Sequence, residues 1–377
     1  MDQWNAGWAQ SVVDVRAYGS ATTDVTLRVR VRSAVGGDRT RIELSNRFSN
    51  APLEVGALSL SVAGRSVSAR FDGHTGTTIP AGDTRWTDPV ALRLSRGSEV
   101  TVDLYLPAIT AHTTGNFSRM PVEISQLGDH TGSPDFRPVA TPTVPAPDGS
   151  RLPLPLPFIS GLEVFGPAPQ ALVVCLGDSI TAGGWPEEAQ ELLADRLEAV
   201  MLNRGIAGNR LRSDPDASIA SYGPSGLTRF EYDVLATAGA SEVVIALGTN
   251  DLGLPGATAP LSDLPSAEQM IETYQSLAGR AAAAGLRVTI ATITPFWQAE
   301  GYDKSCEAIR QTVNDWIRSS APHFVDFDQA LRSTRDPRCL APEYDSGDHL
   351  HPNSDGDERL AQVMAAHLAM RHGVSAD

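Results

Sequence analysis

A chain of 377 residues carrying a net charge of -15 is too long for one ordinary core, and a prior of roughly 150 residues per domain points to two. The acidic balance is spread without long runs, which excludes an extended phosphate-binding surface, so neither nucleic acid nor an anionic membrane is an expected partner. Cys175, Cys306 and Cys339 lack metal-ligand spacing; Cys175 reads as a core residue, and a bridge between Cys306 and Cys339 stays open for an exported protein.

The amino terminus, Met1-Asp-Gln-Trp-Asn-Ala-Gly-Trp, has no basic segment followed by an apolar run. No stretch approaches the length of a membrane span. A cytoplasmic protein is expected, or a secreted one if a signal peptide has been removed.

From residue 12 to about 106 the apolar residues alternate. Val25, Leu27, Val29 and Val31 form one run and Ile42 and Leu44 the next. Leu58, Leu60 and Val62, then Val90, Leu92 and Leu94, then Val100, Val102, Leu104 and Leu106 continue the series between Gly-rich and Ser-rich turns. Short alternating strands at this spacing predict an all-β sandwich, jelly-roll-like, with one face of each sheet buried. Trp4, Trp8 and Trp86 read as core or contact residues, with a sugar-stacking platform as the alternative. His74, His112 and His130 have no partner at meaningful spacing and read as loop histidines.

Residues 133–157 turn Pro-rich, with Pro134, Pro138, Pro142, Pro145, Pro147, Pro153, Pro155 and Pro157, and predict an extended connector. The run from Phe158 to Val164 reads as one last strand returning to the sandwich. The division expected is an accessory domain over 1–167, linker included, and a second domain over 168–377.

After residue 171 the rhythm is strand then helix. Strands are predicted at 172–176, 201–203, 242–247, 287–293 and 323–327. Helices are predicted at 186–200, at 266–284 with Ser266 as N-cap and Gly285 as stop, at 304–319 and at 354–371. Strands alternating with helices make a three-layer α/β domain, whose default site is the loops at the carboxyl ends of the strands.

Four clusters fall on such loops: Gly177-Asp178-Ser179, the loop from Asn203 to Asn209 with Gly205 and Gly208, Gly248-Thr249-Asn250-Asp251, and Asp348-His349-Leu350-His351. Each alone is weak, being readable as a turn, a tight backbone passage or a helix cap. Together they supply what acyl transfer needs. A serine hydroxyl requires a base, and the base requires a group that fixes its tautomer. Ser179 is the candidate nucleophile, His351 the base and Asp348, three residues earlier, the orienting carboxylate. The N-H of Ser179, the N-H of Gly208 and the side-chain amide of Asn250 are candidate oxyanion donors. Asp178 and Asp251 flank these positions and resemble metal ligands, but only one histidine belongs to the set, so a metallophosphoesterase is disfavoured and no metal or cofactor is expected.

These blocks resemble the SGNH or GDSL hydrolase family over about residues 171–370. Ser179, Gly208, Asn250 and His351 match its four named residues, with Asp348 three before the histidine; the first block reads Gly-Asp-Ser-Ile in place of Gly-Asp-Ser-Leu. The resemblance implies a flavodoxin-like sheet and an acyl-serine mechanism. The leading β domain resembles the sandwich that precedes this domain in some actinobacterial members. There is no Gly-x-Ser-x-Gly, so a lipase-type elbow is not a competitor.

Phe296 and Trp297 at a strand end, and Trp185 after the nucleophile turn, are expected either to pack in loops or to line a broad aromatic pocket for a planar acyl group. Such a pocket would exclude water from an acyl-enzyme. The reading from sequence is an O-acyltransferase that places an acyl or aryl group on a hydroxyl of a small natural product. The alternatives are a carboxylesterase or deacetylase of the same family and a non-catalytic carbohydrate-binding protein. The expected partners are a small-molecule acyl donor and an alcohol acceptor, and no coiled-coil pattern demands anything beyond a monomer.

Overall fold

The computed structural model describes residues 2–117, 120–140, 142–145, 151–299, 301 and 303–375. The chain divides into two compact units, Met1–Ala168 and Pro169–Asp377.

The first unit is strand-rich and sandwich-like. One sheet is built from β1 (Asp2–Ala9), β2 (Arg39–Ser45), the short strand Thr84–Trp86 and the strand Ile159–Pro167, which runs antiparallel between β1 and β2. The other has six strands, with Val25–Arg32 and Glu99–Leu106 paired at its centre. Alternation puts Leu27, Val29 and Val31 of the second sheet and Ile42 and Leu44 of the first in the core. The returning strand is a sandwich strand, as its apolar run predicts.

The run at Val90, Leu92 and Leu94 does not form a strand. Its three side chains are buried in alternation, but Leu92 N-H turns back onto Val90 O, and the neighbouring segment is reached by isolated bridges, Thr40 to Val90 and Gly37 to Leu94, and by the Thr40 hydroxyl, which donates to Leu92 O. Alternation of side chains is present without a ladder. The Pro-rich segment is also more structured than a plain connector. Pro138–Ala140 adds to the edge of the six-stranded sheet, and Thr143–Pro145 pairs with Arg151–Pro153, positions where a missing N-H costs little. Pro147 lies outside the described residues.

His112 is not a loop residue facing solvent. It is 2% exposed and its ring nitrogens bond Ser20 Oγ and Thr22 Oγ1, each at 3.1 Å; burial pulls its pKa down to about 4. Trp4 and Trp86 are half-buried, and the Arg41 guanidinium lies over both rings, 4.3 Å and 4.7 Å from their centroids. A cation thus stacks on one face of each ring.

The second unit has a five-stranded parallel sheet. Its strands are β3 (Ala171–Gly177), β4 (Ala199–Gly205), β5 (Glu242–Ala246), β6 (Arg287–Ala291) and β7 (Phe324–Val325), in the spatial order β4-β3-β5-β6-β7. This is the flavodoxin-like order, and its switch point lies beside β3. Gly177 is level with both Gly205 and Ala246. Three loops therefore leave one edge of the sheet at the same height.

Helix α1 (Ser179–Ala182) follows β3, and α2 (Trp185–Leu193) comes next. The latter stops short of the predicted residue 200 because Ala199 and Val200 belong to β4 and are buried there. Helices α3 (Gly226–Phe230) and α4 (Thr249–Gly253) are short; α5 (Ala267–Ala283) begins with a capping box made by Ser266 and Gln269. Helix α6 (Lys304–Ser320) follows β6. The strand predicted to reach Phe327 ends at Val325, because Asp326 caps α7 (Phe327–Leu331) by accepting from Gln329 N-H. Helix α8 (Ser354–His372) closes the chain. Cys175, Cys306 and Cys339 are free thiols, so the Cys306 to Cys339 bridge is not formed. Among the described residues no helix is long and apolar enough to cross a membrane.

Candidate active site

Ser179 is the first residue of α1. Asp178 precedes it as N-cap and accepts from Ile180 N-H at 3.0 Å, which satisfies one donor of the helix start. The turn is tight: a Cβ on Gly177 would stand 2.0 Å from Thr181 Oγ1. Only glycine fits where the strand hands over to the nucleophile.

Ser179 Oγ lies 2.8 Å from His351 Nε2, and His351 Nδ1 lies 2.7 Å from Asp348 Oδ2. The second oxygen of Asp348 accepts from the backbone N-H of His351 and Leu350 at 2.8 Å and 2.9 Å. Partial burial pulls the Asp348 carboxyl upward, but the hydrogen bonds from His351 and these amides outweigh it and hold the group well below the usual carboxylate range. It stays ionised at every pH at which the protein is expected to work. The other imidazole of the motif, His349, is paired elsewhere: its Nδ1 is 2.7 Å from Asp345 Oδ2, and it sits in the left-handed region at φ 64°. Three-residue spacing thus separates the two histidines physically.

Gly208 has φ 75°, and a Cβ there would meet the Tyr222 ring at 2.4 Å. Asn250, on α4 and 7% exposed, donates from Nδ2 to Asn209 O at 3.1 Å, which joins the loop after β5 to the loop after β4. The structure brings Ser179, His351 and Asp348 into one hydrogen-bonded series and places Gly208 and Asn250 on the two loops flanking it. Asp251 serves the same loop as a clamp, accepting from Leu211 N-H at 2.6 Å and Arg212 N-H at 3.0 Å.

The aromatic residues do not follow the pocket expectation. Trp185 is fully buried and packs edge-on against Phe327 with ring centroids 5.2 Å apart. Phe296 is 1% exposed. Trp185 opens α2 on the buried face that Ala189 and Leu193 continue, and Phe296 is buried just before the turn at residues 297–298. Trp297 is half-buried, with the Arg338 guanidinium 4.1 Å from its ring centroid.

Residues that the sequence did not single out also shape this region. Arg229 on α3 is fully buried and donates into both the β3 and the β4 loops, and Tyr274 OH donates to Leu247 O at 2.5 Å. The spacing of Arg229 and Asp233, four apart, was the one local signal for the first.

Burial raises Asp178 to about 7 against the pull of its bond from Ile180 N-H. Its folded value lies above an unfolded value of about 3.9, so the fold favours the protonated form. The stability it contributes is complete below about pH 4 and is lost as pH rises through 7, on the order of 4 kcal/mol. Asp178→Asn keeps a cap acceptor and cannot ionise. Its melting temperature is expected to fall less than the parent's between pH 5 and pH 8; parallel curves would show that Asp178 is not the titrating group.

A hydroxyl, an imidazole and a carboxylate in hydrogen-bonded series at the switch point of a parallel sheet are the parts of a serine-type acyl hydrolase or acyl transferase. Residues 175–359 match the GDSL-like Lipase/Acylhydrolase family and form a domain of that family. The chain is therefore an enzyme of ester hydrolysis or acyl transfer. No curated protein matches it. Similar solved structures include a GDSL-like lipase from Bacteroides thetaiotaomicron (22% identity, covering 54% of this chain and 88% of that one, TM-score 0.39). Others are a carbohydrate acetylesterase from Sinorhizobium meliloti (16%, 53% and 99%, TM-score 0.43) and an acetyl-xylooligosaccharide esterase from Geobacillus (20%, 53% and 95%, TM-score 0.43).

Proposed function

We propose that the second unit is an ester hydrolase working through an acyl-Ser179 intermediate. The observation that carries this reading is the continuous series from Ser179 Oγ through His351 to Asp348, at 2.8 Å and 2.7 Å. In the first half-reaction Ser179 Oγ attacks the ester carbonyl while His351 Nε2 takes the hydroxyl proton. Asp348 keeps Nδ1-H in place and balances the imidazolium that forms. The tetrahedral oxyanion is met by the N-H of Ser179, the N-H of Gly208 and the amide of Asn250. Collapse expels the alcohol, which leaves with the proton from His351. Water then repeats the sequence with His351 as base, and the carboxylic acid departs.

Water is favoured over an alcohol acceptor because the base and its partner are open to solvent: the side chains of His351 and Asp348 are 38% and 52% exposed. A transferase must keep water from its acyl-enzyme, and the aromatic shield expected for that task is absent at Trp185 and Phe296, which are buried. The O-acyltransferase reading thus retains only Trp297 in its support.

The test is to react the protein with an activated acetyl ester in buffer and in graded concentrations of a primary alcohol, following intact-protein mass and products together. The expected result is a transient acetyl adduct and free acetate as the main product at every alcohol concentration. An adduct that persists until alcohol arrives, with the new ester as product, would assign the enzyme to acyl transfer.

A further inference from the structure

Arg229 bonds to the parts that carry the candidate site and to one carboxylate. Its side chain is fully buried. Nη2 donates to Gly177 O at 2.8 Å, one residue before the Asp178-Ser179 turn. Nη1 donates to Arg204 O at 2.9 Å, at the end of β4, and to Asp233 Oδ2 at 2.8 Å. Nε donates to Asn209 Oδ1 at 3.0 Å.

Asn209 extends the clamp. With its Oδ1 fixed by Arg229, its Nδ2 faces the carbonyls of Tyr222, Gly223 and Pro224 at 2.7, 3.2 and 2.9 Å. That holds the Tyr222 ring against Gly208, where no Cβ could stand. The backbone carbonyl of Asn209 accepts from Asn250 Nδ2 and so sets the direction of that amide. One planar guanidinium, with donors in a fixed fork, therefore ties together the nucleophile strand, the Gly208 loop and, through Asn209, the Asn250 side chain.

We propose that Arg229 is a positioning residue for the reaction at Ser179: through Gly177 O, Arg204 O and Asn209 it fixes the nucleophile turn relative to the oxyanion donors. This rests on the acyl-serine reading given above. The chemistry favours this over a purely structural ion pair. A charge that only stabilised the core would need Asp233 alone, and a buried pair of that kind can often be replaced by apolar residues without loss of stability. The other three acceptors gain nothing from such a replacement.

The experiment compares Arg229→Lys and the double variant Arg229→Met with Asp233→Leu against the parent, measuring melting temperature, kcat and KM for one ester, and inhibition by a boronic acid that mimics the tetrahedral intermediate. The lysine variant keeps a charge beside Asp233 but cannot reach all the acceptors; the double variant removes the Arg229–Asp233 pair whole, and with it the 3.7 Å contact of Arg204 Nη1 to Asp233 Oδ1. Both are expected to lose about 100-fold in kcat, the scale of an ångström of misplacement. KM should change less than threefold, and boronate affinity should fall in step with kcat/KM. A folded variant with kcat within threefold of the parent overturns the proposal; should the double variant not fold, Arg229→Lys decides alone. Ser179→Ala, run beside them, keeps the two ideas apart: turnover that survives without Ser179 removes the acyl-serine reading and the proposal with it, whereas a dead Ser179→Ala beside fully active Arg229 variants removes only the proposal.

Discussion

Ser179→Ala is expected to lower kcat by about 10⁶-fold, down to the residual rate that oriented binding and oxyanion donors sustain without a nucleophile. Ser179 is half-buried and its hydroxyl bonds His351, so truncation leaves no unsatisfied buried group, and stability should move by no more than about 0.5 kcal/mol. The loss is then chemical and not structural. Asp348→Asn is expected to cost about 10⁴-fold in kcat, because an amide can offer Nδ1 a donor and so hold His351 in the tautomer whose Nε2 carries a proton and cannot accept one. Solvent at the exposed Asp348 competes for that role and keeps this loss smaller than that of the serine. The two residues act as one unit, so the double variant should be no slower than Ser179→Ala alone. Steady-state rates with a chromogenic ester, active-site titration and thermal melting check all three. Ser179→Ala retaining more than about one part in a hundred of the parental kcat would rule out a serine nucleophile, since no intact triad loses so little.

The fold was legible where the signals are local. The apolar runs read as strands at 172–176 and 242–247 became the buried parallel strands Ala171–Gly177 and Glu242–Ala246, and Ser266 with Gln269 capped its helix as the spacing requires. The loop clusters were legible for the same reason, being short motifs at strand ends, and the three-residue step from Asp348 to His351 is a distance that a turn can close by itself. Trp185 was misread against a signal that was present: Trp185, Ala189 and Leu193 stand at helical spacing, and all are fully buried. What the sequence could not show depends on partners far along the chain. His112 finds Ser20 and Thr22 some ninety positions away, β1 finds its neighbour at the far end of the same unit, and Arg229 reaches Gly177 across 52 residues. A buried arginine and a surface arginine look alike until the topology is known.

Truncating Asn250 and adding a methyl to Gly208 should separate two ways of damaging the same oxyanion site. Asn250→Ala removes one candidate donor and its bond to Asn209 O, and is expected to lower kcat by about 10² to 10³-fold with KM little changed, since the interaction matters once charge has developed on the carbonyl oxygen. Gly208→Ala acts through the backbone. At φ 75° an alanine is strained, and its Cβ would fall 2.4 Å from the Tyr222 ring, so either the ring or the loop must move. The strain costs about 1 to 2 kcal/mol of stability, and moving the loop also shifts the N-H of Gly208. The expected signature is a kcat loss of at least about 10²-fold together with a lowered melting temperature; Asn250→Ala also lowers the melting temperature, because the buried Asn209 carbonyl loses its donor, so its part in meeting the oxyanion is read from kcat against KM. If Asn250→Ala instead raised KM by the same factor with kcat intact, the amide would be binding the ground-state ester uniformly and would have no part in meeting the oxyanion.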